Sequence, residues 1–169
     1  MKNQVKGKQY IILFHILLLF GAIYIYLLEN NSHLVYNKQY SNPLMINKSL
    51  SYNMRNNHFN KFLENINLKN TNVNIENIKG ITLLMQCIIE KCEDKYLDIL
   101  IDKTDSDFKN KYSETPLHYA ILFDNFNAFK KLLNKQFNTS KYNNISLEEM
   151  IKQSNITQKT KYLITLKSI

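Results

Sequence analysis

Three side chains carry the groups most suited to chemistry: the imidazole of His118 and the thiols of Cys87 and Cys92. His118 would serve as a general base if a nucleophile and an orienting acid accompanied it, and no second histidine lies near it in the sequence. Cys87 and Cys92 stand five residues apart, which is not the C-x-x-C spacing of redox and zinc motifs. Cys92 falls near the tight turn between the two helices, so the pair would not stack as an i,i+4 pair does, and a disulfide is possible only if that turn brings their α-carbons within about 7 Å. A buried bystander at Cys87 and a half-exposed thiol at Cys92 is the expectation. A reactive Cys92 would require a depressed pKa, which the adjacent carboxylates of Glu93 and Asp94 oppose. Glycine occurs only at positions 7, 21 and 80, so no glycine-rich phosphate loop exists, and no cluster of His and Cys has metal-ligand spacing. No catalytic residue, metal, cofactor or small-molecule substrate is expected, and the question becomes one of partners.

The elements that must position these residues come in copies. Thr115-Pro116-Leu117-His118-Tyr119-Ala120 has a weaker echo, Thr82-Leu83-Leu84-Met85-Gln86-Cys87, 33 residues earlier. Thr115 is placed to cap a helix, and Pro116 falls at the first helical position, where its missing N–H does no harm. Leu117, Ala120 and Ile121 then share one helical face, and Phe129, Leu132 and Leu133 form a matching stripe on a following helix. The lead-in repeats as well: Asn72-Val73-Asn74-Ile75-Glu76-Asn77-Ile78-Lys79-Gly80-Ile81-Thr82 is similar to Asp107-Phe108-Lys109-Asn110-Lys111-Tyr112-Ser113-Glu114-Thr115. So does the apolar pattern of the second helix, Tyr96-Leu97-Asp98-Ile99-Leu100-Ile101 and Ala128-Phe129-Lys130-Lys131-Leu132-Leu133.

A T-P-L-H-x-A signature at a period of about 33 residues resembles the ankyrin-repeat family, whose unit is a turn followed by two antiparallel helices. The resemblance covers residues 59–137 well and the C-terminal part poorly. It implies an all-α fold, a short ankyrin-repeat solenoid of helix-turn-helix repeats with turn fingers. Recognisable repeats fall at about residues 72–104 and 105–137, within a domain over 59–169 whose end repeats are degenerate. It makes Thr115, Pro116, Leu117, His118 and Ala120 structural, with His118 bonding the finger and the threonine. Ser113 stands where the family has glycine. The family binds partners through finger tips and the exposed face of the inner helices. On matching positions this implies partner-binding roles for Ile78, Lys79, Ile81, Ile89 and Glu90 in the first repeat. In the second it implies Lys111, Tyr112, Glu114, Leu122 and Phe123.

Beyond the repeats, Phe59, Phe62, Leu63 and Ile66 have helical spacing and read as the outer helix of an incomplete first repeat. Ser146-Leu147-Glu148-Glu149 has capping-box spacing and opens a later helix, and Tyr162, Leu163, Ile164 and Leu166 supply a last one.

The N-terminal part has another character. Residues 1–9 form a basic tail, and residues 10–28 are 19 consecutive positions without formal charge, dominated by Leu, Ile and Phe. About 20 apolar residues suffice for a helix to cross the hydrocarbon core, so a transmembrane helix or signal anchor is expected at 10–28. Lys2, Lys6 and Lys8 precede it, while only Lys38 follows within the next stretch, so the lysine bias places the N-terminus in the cytoplasm and the repeats outside. A cleaved signal peptide, leaving a secreted binder, is the alternative; its apolar core is usually shorter and ends at small residues absent here. His15, inside the span, has no visible relay partner. Residues 29–58, rich in Asn, Ser, Lys and Tyr, read as a flexible tether with a root-mean-square span near ~30 Å, Pro43 interrupting its only short apolar run, Leu44-Met45-Ile46. Asn-x-Ser/Thr triplets begin at Asn30, Asn47, Asn138, Asn144 and Asn155, as an asparagine-rich chain generates by chance.

The net charge of +8 does not point to nucleic acid. Residues 59–137 hold 11 basic and 11 acidic side chains, and Arg55 is the single arginine among 22 basic residues. Arginine is the side chain best suited to bidentate phosphate and guanine contacts. The sequence therefore reads as a membrane-anchored, non-catalytic protein-interaction module with a protein partner. The rival is a structural subunit recognised through its transmembrane helix.

Overall fold

The computed structural model describes residues 42–168, and among them the chain forms eight helices and no strand. They are α1 (Pro43–Arg55), α2 (Phe59–Ile66), α3 (Leu83–Glu90), α4 (Asp94–Lys103), α5 (Pro116–Leu122), α6 (Phe126–Asn134), α7 (Leu147–Gln153) and α8 (Lys159–Lys167). The longest of these has 13 residues, and helices this short are marginal alone in water. They are held by stacking. Each odd-numbered helix packs on the even-numbered helix that follows it, and α1, α3, α5 and α7 touch in succession to form an inner layer. In the outer layer α4 packs on α6 and α6 on α8, while the Tyr96 ring of α4 meets Phe59 and Phe62 of α2 edge-on at 5.3 and 4.9 Å. The core runs between the layers and includes the fully buried Leu84, Met85, Leu100, Leu117, Phe129 and Leu132.

The tether expected over residues 29–58 is corrected from Pro43 onward. Residues 43–55 are α1, the inner helix of a complete first helix pair, and Pro43 opens the helix rather than interrupting an apolar run. Ile46, Leu50 and Met54 lie four residues apart on one buried face, a single apolar residue per turn hidden among Asn, Ser and Lys. Among the described residues no helix is long and apolar enough to cross a membrane. The expected basic tail at 1–9 and span at 10–28 lie outside them, as does the tether up to residue 41.

The hexapeptides start inner helices. Thr82 caps α3, its hydroxyl accepting the N–H of Met85 at 3.3 Å. At α5 the cap is carried by His118: the N–H of Thr115 donates to Nδ1 at 2.9 Å, and Thr115 Oγ1 lies 3.2 Å from the same nitrogen. With Nδ1 accepting, Nε2 holds the proton and donates to the carbonyl of Ser140 at 3.1 Å, in the loop before α7. His118 is fully buried and ties its own helix start to the next repeat. At α7 both halves of the capping box form, Ser146 N–H to Glu149 Oε2 at 2.9 Å and Glu149 N–H to Ser146 Oγ at 3.2 Å.

The free thiol expected at Cys92 is also corrected. Lys91 turns into the left-handed region at φ 49°, and the N–H of Cys92 reaches back to the carbonyl of Cys87 at 3.0 Å, closing a Schellman turn. That turn brings the two α-carbons to 5.0 Å, and Cys87 and Cys92 form a disulfide. The next repeat has the same turn without sulfur, with Asp124 at φ 47° and Asn125 N–H on Ala120 O at 2.9 Å.

Thiol titration of unreduced, denatured protein reads no free thiol and reads two per chain after reduction; two before reduction would mean the pair stays open. Burial holds the His118 imidazole below its ordinary range, against the opposing Ser140 carbonyl. A depressed folded pKa makes its contribution full above the unfolded value of about 6.5, and that contribution is lost as pH falls from there through the folded value. The unfolding midpoint therefore drops between pH 7.5 and pH 5.5, and that part of the drop vanishes in His118→Gln. His118→Ala lowers stability by about 2–3 kcal/mol, through the buried Thr115 N–H it leaves unpaired.

Candidate functional site

The fingers between helix pairs are built by asparagine. In the first, Asn77 Oδ1 accepts the N–H groups of Lys79 and Ile81 at 2.8 and 3.1 Å, and Asn77 N–H donates to Ile81 O at 3.0 Å. In the second, Asn110 does the same with Tyr112, Glu114 and the Glu114 carbonyl, each at 2.9 Å. The tight turn needs a left-handed residue before its end. Gly80 supplies it at φ 76°, and Ser113, where the first finger has glycine, adopts φ 64°. The third finger is shorter: Asn143 and Asn144 are both left-handed, at φ 49° and 65°, between paired Tyr142 and Ile145.

Successive fingers are bonded to one another. Asn110 Nδ2 donates to Gly80 O at 2.9 Å, Lys111 N–H to Glu76 Oε1 at 2.9 Å, and Lys111 Nζ to Ile78 O at 2.8 Å. The ring of Tyr112 lies over Gly80 so closely that a Cβ there would come within 2.7 Å of it. The finger row is thus one connected surface, flanked by the inner helices.

On that surface the ten positions implied by the resemblance divide. Ile78 at the first tip is 92% exposed, Tyr112 53%, Leu122 51% and Phe123 41%, the last stacked on the Tyr119 ring at 6.0 Å. Lys79 is exposed, whereas Ile81 and Ile89 are half-buried. Three of the four polar members, Glu90, Lys111 and Glu114, are engaged within the protein. Glu90 takes a two-pronged ion pair from Arg55, which holds its carboxyl below the usual range. Glu114 turns inward to Asn110 Nδ2 at 2.7 Å and Tyr119 O–H at 2.8 Å, and burial together with that carboxylate pushes the Tyr119 phenol up. Lys111 hydrogen-bonds Ile78 and sits 5.1 Å above the Tyr112 ring.

The sequence reading missed the share of α1. With Pro43–Arg55 helical, Lys48, Ser51 and Tyr52 face Ile75, Ile81 and Gln86 across a cleft of ≈ 400 Å³ between α1, the first finger and α3. Ser51 and Gln86 bond across it at 2.7 Å, and Tyr52 is 60% exposed at its rim. The four-residue spacing of Ile46, Leu50 and Met54 was the available signal.

Both ring nitrogens of His118 are occupied by hydrogen bonds, and its side chain is shut off from solvent. Among the described residues no group of three His, Cys, Asp or Glu is placed to hold a metal ion.

The chain resembles known proteins at two levels. A family model described as ankyrin repeats (3 copies) matches residues 50–144, which is more than half of the chain. No curated protein matches it. Among solved structures it is similar to one described as the Bd0816 predatory endopeptidase from Bdellovibrio bacteriovorus in complex with immunity protein Bd3460. The TM-score is 0.54 at 20% identity, covering 72% of this chain and 65% of that one, so over a third of the neighbour's length has no counterpart here. Stacked helix pairs, asparagine-built fingers and a Thr-Pro-Leu-His helix start together with that match make the chain a member of the ankyrin-repeat family.

Proposed function

We propose that this protein is a non-catalytic protein-interaction module whose binding face is the finger row and adjoining inner helices, held at a membrane by residues 10–28. The observation that carries the binding face is the concentration of exposed apolar side chains there: Ile78, Tyr112, Leu122 and Phe123, with Tyr52 at the cleft rim. Exposed apolar side chains gathered on one surface mark an interaction site more often than a solvated one. A protein partner is also in keeping with the similar solved fold, found in a complex of two proteins.

The membrane reading rests on the uncharged stretch 10–28 and its lysine flank. A disulfide at Cys87 and Cys92 agrees with repeats in an oxidising compartment, on the far side from the cytoplasm.

Two measurements test these parts separately. Tyr112→Ala combined with Phe123→Ala weakens partner capture at least tenfold, about 1.4 kcal/mol, while helical circular dichroism and the unfolding midpoint stay nearly unchanged. Lys103→Ala with Lys130→Ala on the outer helices, both exposed, is the control and leaves capture intact. Full binding by the folded aromatic variant would move the interface elsewhere. For the membrane part, protease added to intact cells, with any outer envelope opened, removes the repeats and spares the N-terminus. A mature N-terminus near Asn30, or full extraction at alkaline pH, would replace the anchor with a secreted form.

A further inference from the structure

We infer that the cleft between α1, the first finger and α3 receives an extended, uncharged peptide segment of the partner, with one large apolar side chain set into it; the inference rests on the interaction reading above. Ile75, Ile81 and Leu83 supply the apolar part of the lining. Most of the polar groups around them are already used within the protein. Ser51 and Gln86 bond each other at 2.7 Å, and Arg55 forks onto Glu90. Asn47 Nδ2 donates to Asn72 O at 2.9 Å, and Asn77 Oδ1 holds two amides of its own finger. A ligand rich in polar groups would give up its water there and find few partners in exchange.

Two charged groups of the lining keep capacity, one on each wall. On α1, Lys48 is exposed and forms no ion pair among the described residues. On the finger, Glu76 gives Oε1 to the Lys111 N–H at 2.9 Å and forms no ion pair either, which leaves Oε2 to accept. Their charges cancel, so the cleft favours neither an acidic nor a basic occupant. What matches a donor on one wall and an acceptor on the other is main chain, since an extended segment turns the N–H of one residue and the C=O of the next to opposite sides. The amide goes to Glu76 and the carbonyl to Lys48, and the anchor side chain packs on Ile75 and Ile81. The volume of ≈ 400 Å³ lies at the low end of ligand pockets, which run about 300–1,000 Å³, and gives room for one anchor with its flanking main chain. Tyr52 at the rim and Ile78, two residues past Glu76, add exposed apolar contact outside it.

The test selects from a random twelve-residue peptide display library on the full chain in mild detergent, and then measures synthetic copies of the leading peptide. Wild-type protein enriches peptides with a Leu, Phe, Met or Trp between uncharged residues, and affinity changes less than about threefold between 50 and 300 mM salt. Ser51→Trp, which fills the cleft, binds at least tenfold more weakly. Copies N-methylated at one amide at a time lose at least tenfold at a position beside the anchor. That loss shrinks in Glu76→Gln, which keeps the acceptor for Lys111 and turns the other oxygen into a donor. Should Ser51→Trp disturb folding, the N-methyl comparison reads the cleft without it. If Tyr112→Ala/Phe123→Ala abolishes binding while Ser51→Trp and Glu76→Gln leave it intact, the interaction face stands and the cleft is overturned. Enriched peptides that are charged around the anchor and lose affinity steeply with salt overturn the uncharged segment. If no peptide is enriched, or none of these changes matters, the proposal falls. The dye anilinonaphthalene sulfonate, bound by wild type and not by Ser51→Trp in the absence of peptide enrichment, would assign the cleft to a small hydrophobic ligand instead.

Discussion

The described part of the chain depends on a shared deficiency: none of its eight helices is long enough to bury an apolar face by itself. Burial comes from stacking, and the polar bonds that align the stack reach no further than the neighbouring repeat. Arg55 meets Glu90, Asn110 meets Gly80, Asn125 Nδ2 meets Ile88 O at 3.0 Å, and Thr157 meets Asp124. Stability in such an array is close to a sum of units and their seams, and no single centre holds the whole together. The outer surface follows the same rule, with Lys131 of α6 bridging Asp94 and Asp98 of α4, and Lys135 reaching Asp102.

A second regularity lies where inner helices end. Asn57, Lys91 and Asp124 all take left-handed backbone there without being glycine. Neighbours support these turns, each in its own way. Tyr96 O–H bonds Asn57 at 3.0 Å, Tyr162 O–H lies 3.3 Å from Asp124, and the disulfide spans the turn at Lys91. The tyrosines also fill the outer layer, Tyr162 packing against Phe126 and Phe129 as Tyr96 does against Phe59 and Phe62. One side chain thereby serves both the core and the turn.

Much of this was legible in the residues. The starts of α3, α5 and α7 were marked by Thr82, Thr115-Pro116 and the Ser146–Glu149 box, because capping chemistry is local. The helix α1 was not legible as such, since one apolar residue per turn among asparagines falls below the density that marks an amphipathic stripe. The Cys87–Cys92 pairing depends on a left-handed turn at a lysine, for which residue type gives no warning. Of the face, the exposed apolar tips were readable from repeat register. The inward turn of Glu114 and the capture of Glu90 by Arg55 were not, because both depend on groups brought near only by folding.

Seams arranged in series also have mechanical ends. Elements in series carry the same tension, so the weakest seam parts first, and an end repeat is held by one neighbour where an inner repeat is held by two. The α1 pair is such an end, joined to α3 by the Arg55–Glu90 fork and the Ser51–Gln86 bond. A partner lying across several fingers would act as a splint on the spring beneath it.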